Sequence, residues 1–291
     1  MWRDFIPPVI VRAARSLRGR PRPKRYDSYE AALAECSDRG YENRDIIEVV
    51  YRKTMRYRDN IESGAHPVRP SSADAYSLFS LLSSISNGKI KVLDFGGACG
   101  SHYFAARAFL PASCKLKWVV VETPAMAAMA SALATQELSF SSDPGAAAAS
   151  LQNVDLLLTS GALQFVSCPE KVLKQLVSIG ATRILFSRLG LTEGTGDVIT
   201  VHESWLSANG PGPMPEGIQD RKVRYPITFM RKSRFDQILR ERYEPVVTFD
   251  DPSGVIAVGN EPIIGLGLLA RTRAPARHST QLIQDQMKFL G

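Results

Sequence analysis

Between Lys89 and Arg188, apolar strand-like segments alternate with helical ones, and this pattern constrains the fold more than any other feature. The segments predicted as strands are KIKVLDF, KLKWVVVE, LSFSSD, VDLLLTS and TRILFSR. Strands joined through helices at this spacing form a parallel sheet with right-handed crossovers. Later in the chain, PVVTFDD and IIGLGLLART predict an antiparallel pair. We therefore predict an α/β fold with a seven-stranded sheet, mostly parallel with one antiparallel strand.

The parts of the chain around this alternating body differ in composition. Residues 26–88 are predicted as a helical N-terminal segment, and residues 89–273 as the α/β domain. Residues 189–230 are rich in glycine and proline, and a connection of that length inside a domain is usually a functional lid or an insertion. We predict a lid there, with a basic amphipathic tail at 1–25 and a C-terminal tail at 274–291.

The net charge of +7 belongs to the first 25 residues, which hold eight basic side chains and one acid. Taking these from the chain's 36 bases and 29 acids leaves 28 of each, so we expect no nucleic-acid binding by the body. The tail places apolar and basic residues on opposite helical faces, which is typical of a helix on an anionic membrane surface. The alternative is that this helix docks on the protein's own body.

The hydropathy of the chain bears on its location. No apolar run approaches about 18 residues, so we predict no spanning helix. The first residues also lack the features of a secretory signal. We predict a cytoplasmic protein, which would be peripheral at the inner face of the membrane if residues 1–25 bind lipid.

The stretch VLDFGGACGSHYF joins the first predicted strand to a helix, at the sheet edge where ligands bind in such folds. Gly96 and Gly97 can take positive φ and let the backbone approach a ligand. Asp94 can hold an ammonium group or structure the turn, and the helix start offers free N–H groups. For this motif alone, a purely structural turn is the alternative. The candidate cofactor contacts here are Asp94, Gly96, Gly97, Ser101 and His102.

Acidic residues also end the next two predicted strands. Glu122 is placed to accept hydrogen bonds from both hydroxyls of a ribose, and Asp143 is a candidate contact for an adenine amino group. The chain lacks G-x-G-x-x-G, because Ala98 and Cys99 stand where a pyrophosphate would need glycine. S-adenosylmethionine has no phosphate, so these residues favour a methyl donor over a dinucleotide.

The sequence resembles a family of largely uncharacterised class I S-adenosylmethionine-dependent methyltransferases, often associated with bacterial surface polysaccharide synthesis. The resemblance covers roughly residues 26–270 and rests on VLDFGGACGSHYF, WVVVETPAM, LSF, DLLLTSGALQFV, the pair Tyr225-Pro226 and GLGLLART. It implies a Rossmann-like fold and S-adenosylmethionine as cofactor. The usual methyltransferase motif has glycine where this chain has Ala98, which leaves room for altered cofactor binding.

Candidates for the chemistry follow the fourth and fifth strands and lie in the lid. We expect Ser160, Gly161 and Gln164 to line the sulfonium end of the cofactor, although Gln164 is equally compatible with a helix surface. His202 is a candidate base near neutral pH, although a lone loop histidine is more often merely solvated. The candidates for acceptor binding are Arg188, Arg224 and Tyr225.

These features predict a methyltransferase acting on oxygen or nitrogen of a small-molecule or glycan acceptor. The alternatives are a non-catalytic methyltransferase-like binding module and a membrane-peripheral scaffold in polysaccharide assembly. The four cysteines are scattered and form no cluster with histidine, so no metal site is predicted. The sequence does not predict an oligomeric state.

Overall fold

The computed structural model describes residues 23–36, 42–64 and 72–273. The interfacial helix predicted within residues 1–25 falls almost wholly outside the described residues, and so does the C-terminal tail 274–291. The helices are α1 Tyr29–Ala34, α2 Arg44–Glu62, α3 Ser72–Ser84, α4 Ser101–Phe109, α5 Pro124–Ala130, α6 Pro144–Leu151, α7 Pro169–Ile179 and α8 Lys232–Arg240. The strands are β1 Lys89–Phe95, β2 Lys115–Val121, β3 Leu138–Ser141, β4 Leu156–Ser160, β5 Arg183–Thr192, β6 Val198–Trp205, β7 Lys222–Arg231, β8 Tyr243–Asp250 and β9 Ile263–Thr272.

Seven strands form one sheet in the order β3-β2-β1-β4-β5-β9-β8. The first five positions are parallel, and β9 runs antiparallel between β5 and β8. This is the strand order of the class I methyltransferase sheet, so the predicted fold class is confirmed. It brings the carboxyl ends of β2, β1, β4 and β5 to one edge as consecutive neighbours.

Successive residues of the central strands enter opposite halves of the core, because side chains alternate across a sheet. Val92 packs with α2 to α5 on one face, and Leu93 packs with α6 to α8 on the other. Both side chains are fully buried. Parallel strands covered on both faces read as continuous apolar runs, which explains why these strands could be predicted from the sequence.

The remaining two strands, β6 and β7, form an antiparallel hairpin that the sequence analysis did not predict. The hairpin joins the sheet where Leu191 and Thr192 of β5 pair in parallel with β7. The sequence analysis ended the fifth strand at Arg188, and the structure corrects this. β5 runs on to Thr192 past an irregularity between Phe186 and Leu189, because the buried residues beyond it pair again with β9.

The segment before the sheet packs on the hairpin and on α4 and α5. The backbone N–H of Tyr26 donates to the carbonyl of Ile199 of β6 at 2.9 Å, and the Ser28 hydroxyl caps α1 by accepting from the N–H of Ala31. α2 packs against α4 and α5. None of the described helices combines the length and the apolar character that a membrane span requires.

Candidate functional site

The turn between β1 and α4 is left-handed at three positions. Gly96, Ala98 and Gly100 have φ of +73°, +52° and +85°. A Cβ on Gly96 would overlap the Cβ of Ala162, so only glycine lets the turn lie this close to the segment after β4. The sequence analysis missed Gly100, the N-cap residue of α4, whose left-handed φ needs glycine. The spacing of glycines at 96 and 100 was the available signal.

Gly97 lies in the same turn but has no positive φ, so that part of the prediction is wrong. A Cβ at Gly97 would instead overlap the carboxylate of Asp94. Glycine is needed here because a buried side chain of β1 fills the space on that side. Gly97 therefore has a structural role in the turn, and its contact with a ligand stays a prediction.

Asp94 is fully buried beneath the turn. Its Oδ2 accepts a hydrogen bond from Trp118 Nε1 at 3.2 Å and contacts His102 Nδ1 at 3.0 Å. Of the two roles predicted for Asp94, these contacts favour structuring the turn. Among the described residues, no group hydrogen-bonds to its Oδ1. His102 faces this carboxylate from the first turn of α4, and Ser101, partly buried, is the first residue of that helix.

Glu122 follows β2 directly and links two backbone segments. Its Oε1 accepts from the N–H of Ala98 at 2.9 Å, and its Oε2 accepts from the N–H of Thr123 at 3.0 Å. Burial raises the pKa of Glu122 to about 7, against the lowering effect of these two N–H groups, and the nearby Asp94 raises it further. Each carboxylate oxygen retains capacity for a further hydrogen bond, as a ribose contact requires.

Asp143 lies beyond β3 and caps α6. Its Oδ1 accepts from the N–H of Ala146 at 2.6 Å, which satisfies a free donor at the helix start. The side chain is exposed at the same sheet edge as Glu122. Its structural role is therefore defined, and the adenine contact stays a prediction.

Gln164 lies in the 3₁₀ turn after β4 and is 3% exposed. Its Oε1 accepts from the N–H of Gly190 at 2.7 Å, and its Nε2 donates to the carbonyl of Gly254 at 3.3 Å. A helix-surface position is therefore excluded for this residue. Both ends of the amide hold neighbouring loops, and its contact with a cofactor stays a prediction.

Arg188 lies at the irregularity of β5, with φ of +51°. Its backbone N–H donates to Asp251 Oδ2 at 2.7 Å. Its guanidinium donates to the hydroxyl and the carbonyl of Ser160, both at 3.0 Å, and lies across Gly161. Ser160 also accepts from the Ser187 hydroxyl at 2.7 Å, so the end of β4 is bound tightly to β5.

An aromatic cluster, formed by Phe165, His202 and Tyr225, brings the hairpin to the segment after β4. The ring centroids of His202 and Tyr225 are 5.2 Å apart, and Phe165 packs on both rings. Tyr225 is 5% exposed, and its hydroxyl bonds Ser204 Oγ at 3.0 Å. Burial lowers the pKa of His202 from its ordinary 6.5, although Glu203 opposes the shift. The predicted lid residue His202 therefore lies on a strand, half-buried.

Arg224 does not join this cluster. It neighbours Tyr225 on β7, where side chains alternate between faces, and its guanidinium donates to the carbonyl of Glu35 at 3.0 Å. This contact fastens the hairpin to the end of α1. Acceptor binding by Arg224 stays a prediction, and the observed contact is structural.

Along the sheet edge, the site extends from Glu122, just after β2, to Arg188 on β5. Three strand spacings of about 4.8 Å separate them, or about 14 Å. The turn of β1 and the end of β4 lie between, so the edge suits an elongated ligand. Among the described residues, no group of three histidine, cysteine, aspartate or glutamate side chains is arranged to hold a metal ion.

No protein-family model matches the chain, and no curated protein matches it either. Solved structures similar to it include the N-terminal domain of EvdMO1 with S-adenosylhomocysteine (SAH) bound, at 16% identity, covering 70% of this chain and 82% of that one, with a TM-score of 0.43. A second is an S-adenosylmethionine-dependent methyltransferase from Clostridium acetobutylicum ATCC 824, at 9% identity, 77% and 99% coverage, and a TM-score of 0.44. A third is the sugar N-methyltransferase KedS8 from Streptoalloteichus sp ATCC 53650, at 13% identity, 70% and 88% coverage, and a TM-score of 0.42.

Proposed function

We propose that the protein is an S-adenosylmethionine-dependent methyltransferase that acts on oxygen or nitrogen of a small-molecule or glycan acceptor. The observation that carries the proposal is the contact between Glu122 Oε1 and the N–H of Ala98. It puts a carboxylate against the backbone turn of a methyltransferase-type sheet, at the edge where such sheets bind ligands. A carboxylate in this position would accept hydrogen bonds from the two hydroxyls of a ribose.

The same contact argues against a dinucleotide. A pyrophosphate binds to free N–H groups of the glycine turn and the following helix. Here the N–H of Ala98 already donates to Glu122, and the carboxylate adds negative charge where a phosphate would lie. A nucleoside without phosphate fits these donors and charges. S-adenosylmethionine is such a nucleoside, and when bound it would supply an activated methyl group on sulfur.

The residues of the chain divide the remaining work by position along the edge. Glu122 would hold the ribose, with Asp143 beyond it toward the adenine side. Ser160 and Gly161 lie at the end of β4, the strand next to β1 on the side away from Glu122. They would therefore lie near the sulfonium. Fixing the two reactants in this way supplies much of the rate of a displacement reaction.

His202 is the proposed general base. Burial lowers the pKa of His202, so the ring is neutral at pH 7 and can take a proton from an acceptor hydroxyl or amine. Its ring lies against Tyr225 and Phe165, and Phe165 belongs to the turn that follows Gly161. In this proposal His202 would lie at the methyl-donor end of the site.

Turnover tests the proposal. The full chain is incubated with methyl-labelled S-adenosylmethionine and a cell-envelope extract, and SAH release and labelled product are measured. We expect turnover, and His202→Gln should lower kcat by about 10²–10⁴-fold at pH 8. The control is Glu203→Gln, whose exposed side chain pairs with Lys222 at 2.7 Å and which should retain the wild-type rate.

A non-catalytic binding module is the second candidate, favoured by one observation. Ala98 holds a left-handed φ of +52° where the usual methyltransferase motif has glycine. Binding of SAH without any turnover in the extract would support this module and contradict the enzyme.

We also propose, from the sequence alone, that residues 1–25 bind the protein to an anionic membrane surface, an arrangement compatible with a role in surface polysaccharide synthesis. Full-length protein should sediment with vesicles containing phosphatidylglycerol, and less so as salt is raised, because exposed charges are screened over about 8–10 Å. A chain lacking residues 1–22 should stay in the supernatant. Equal sedimentation of the two proteins would contradict the proposal.

A further inference from the structure

Arg188 is fixed from both sides, which is unusual for an exposed arginine. Its backbone N–H is held by Asp251, which is 5% exposed, and Gly254 packs so closely on its carbonyl that any Cβ at position 254 would overlap it. Its guanidinium is fastened to Ser160 by two hydrogen bonds. A long side chain normally loses much rotamer freedom when it binds a ligand. Arg188 has already lost most of that freedom.

Within the described part of the chain, no acidic side chain neutralises the charge of Arg188. Ser160 offers it only a hydroxyl and a carbonyl, both uncharged. No carboxylate of the described residues lies within ion-pair distance of its guanidinium, whereas Arg25, Arg107 and Arg234 each pair with a glutamate. The carboxylate of Asp251 is engaged by the backbone instead. A guanidinium has five donors, and those not used by Ser160 can bind an anion.

The position of Arg188 along the sheet edge indicates which ligand its guanidinium would bind. Gly96 of the β1 turn packs on Ala162, and the preceding residue, Gly161, packs on the Arg188 side chain. Only the Gly161–Ala162 segment therefore separates Arg188 from the turn of β1. It lies about 14 Å along the edge from Glu122, at three strand spacings of about 4.8 Å. A ligand anchored by its ribose at Glu122 would end near β4. Arg188 would therefore contact the second substrate.

We propose that Arg188 is a binding residue for an anionic group on the methyl acceptor, a carboxylate or a phosphate. This inference rests on the proposed function and narrows its acceptor to acidic small molecules or acidic glycans. Arginine suits both groups because its planar fork matches their paired oxygens. The strained φ of +51° would be retained because it aims the side chain along the sheet edge.

Binding of three monosaccharide probes tests the proposal: glucuronate, glucose 1-phosphate and neutral glucose. Each is titrated by ligand-observed NMR at low ionic strength into the full chain, with and without SAH. At least one anionic probe should bind about tenfold or more tighter than glucose, as expected for charged hydrogen bonds. Preference for glucuronate would identify a carboxylate, and preference for glucose 1-phosphate a phosphate.

Two variants assign that binding to Arg188. Arg188→Gln should weaken the preferred probe by about tenfold or more, and thermal unfolding should show that the variant remains folded. Arg183→Gln is the matched control, because Arg183 begins the same strand at the opposite sheet edge and also bonds a serine hydroxyl, that of Ser83. It should leave probe binding unaltered.

Two results would overturn the proposal: glucose binding as tightly as both anions, or a folded Arg188→Gln protein that keeps the anion preference. Failure of the proposed function is distinguishable from either result. In that case the full chain would bind no SAH, or would bind SAH without turnover, while the anion preference in the absence of SAH would still report on Arg188.

Discussion

Glu122 is a carboxylate whose charge changes near neutral pH. Its pKa of about 7 is set mainly by burial, so the group is largely protonated at pH 6 and largely ionised at pH 8. Only the ionised form accepts hydrogen bonds from both ribose hydroxyls. Affinity for SAH should therefore fall as pH drops below 7, by about tenfold between pH 8 and pH 6. Calorimetric titrations at these two pH values measure this change.

Glu122→Gln is the control for that pH dependence. Its side chain has the same shape but does not titrate, so its affinity should be weaker than wild type at pH 8 and nearly constant across the range. A wild-type affinity that is equally flat would contradict the role of the carboxylate. Thermal unfolding at both pH values shows that each protein remains folded.

For individual residues, the sequence predicted which residue types lie at the strand ends but not which groups they contact. Asp94 and Glu122 were found because each ends an apolar strand. The bond from Trp118 to Asp94 joins neighbouring strands, and the bonds of Gln164 reach Gly190 and Gly254, far along the chain. Such contacts depend on register and loop packing, which local patterns do not encode.

Among the secondary-structure elements, α2 and the segment after β6 are joined by a buried lysine. Lys53 is 2% exposed and donates to the carbonyls of Ser207 and Asn209, both at 2.7 Å. Burial lowers its pKa. Lys53→Met would leave both buried carbonyls without this donor and should lower the free energy of unfolding by about 1–3 kcal/mol.

Urea denaturation measures that loss, and Arg52→Met is the matched control. Arg52 is the neighbouring residue on α2, exposed and 4.0 Å from Glu48, so its replacement should change the free energy of unfolding by no more than about 0.5 kcal/mol. Equal destabilisation by the two substitutions would show that the lysine does not fasten this segment. Proteolysis within residues 206–221 should also be faster in the Lys53 variant alone.

The β6–β7 hairpin consists of two strands that could not be predicted from the sequence pattern. VITVHESW and KVRYPITFMR lie between glycine- and proline-rich stretches, and the composition of residues 189–230 obscured them. The two segments form strands because they pair with each other over eight residue pairs, from Val198↔Phe229 to Trp205↔Lys222. The central strands, in contrast, are buried on both faces and carry their own apolar signal. Only Val198 and Thr200 of β6 are buried, so that strand carries a weak apolar signal of its own and depends on its pairing with β7.

For the whole molecule, the structure joins the N-terminal segment to the body through the hairpin. Lys24 accepts from Thr200 through its carbonyl, and Arg25 pairs with Glu261 at 2.6 Å. Tyr29 of α1 donates to the carbonyl of Phe165, beside the aromatic cluster. A chain beginning at residue 23 keeps these contacts, and a chain beginning at residue 37 loses them.

Comparison of these two truncated chains tests whether residues 23–36 belong to the same cooperative unit. The longer one should unfold at a higher temperature than the shorter, at roughly 2–4 °C for each kcal/mol lost. Differential scanning calorimetry measures the difference. The same midpoint for both chains would show that α1 contributes nothing to the stability of the body.

Calorimetric titration of SAH into the full chain and into Glu122→Ala, at pH 8, tests the central claim most directly. The wild-type chain should bind, and loss of two charged hydrogen bonds, at roughly 1.5–3 kcal/mol each, should weaken binding by about two to four orders of magnitude. The variant should stay folded, because Val119, Val120 and Val121 of β2 keep their buried positions. Equal affinity in the folded variant, or no binding by the wild-type chain, would contradict the proposed cofactor site.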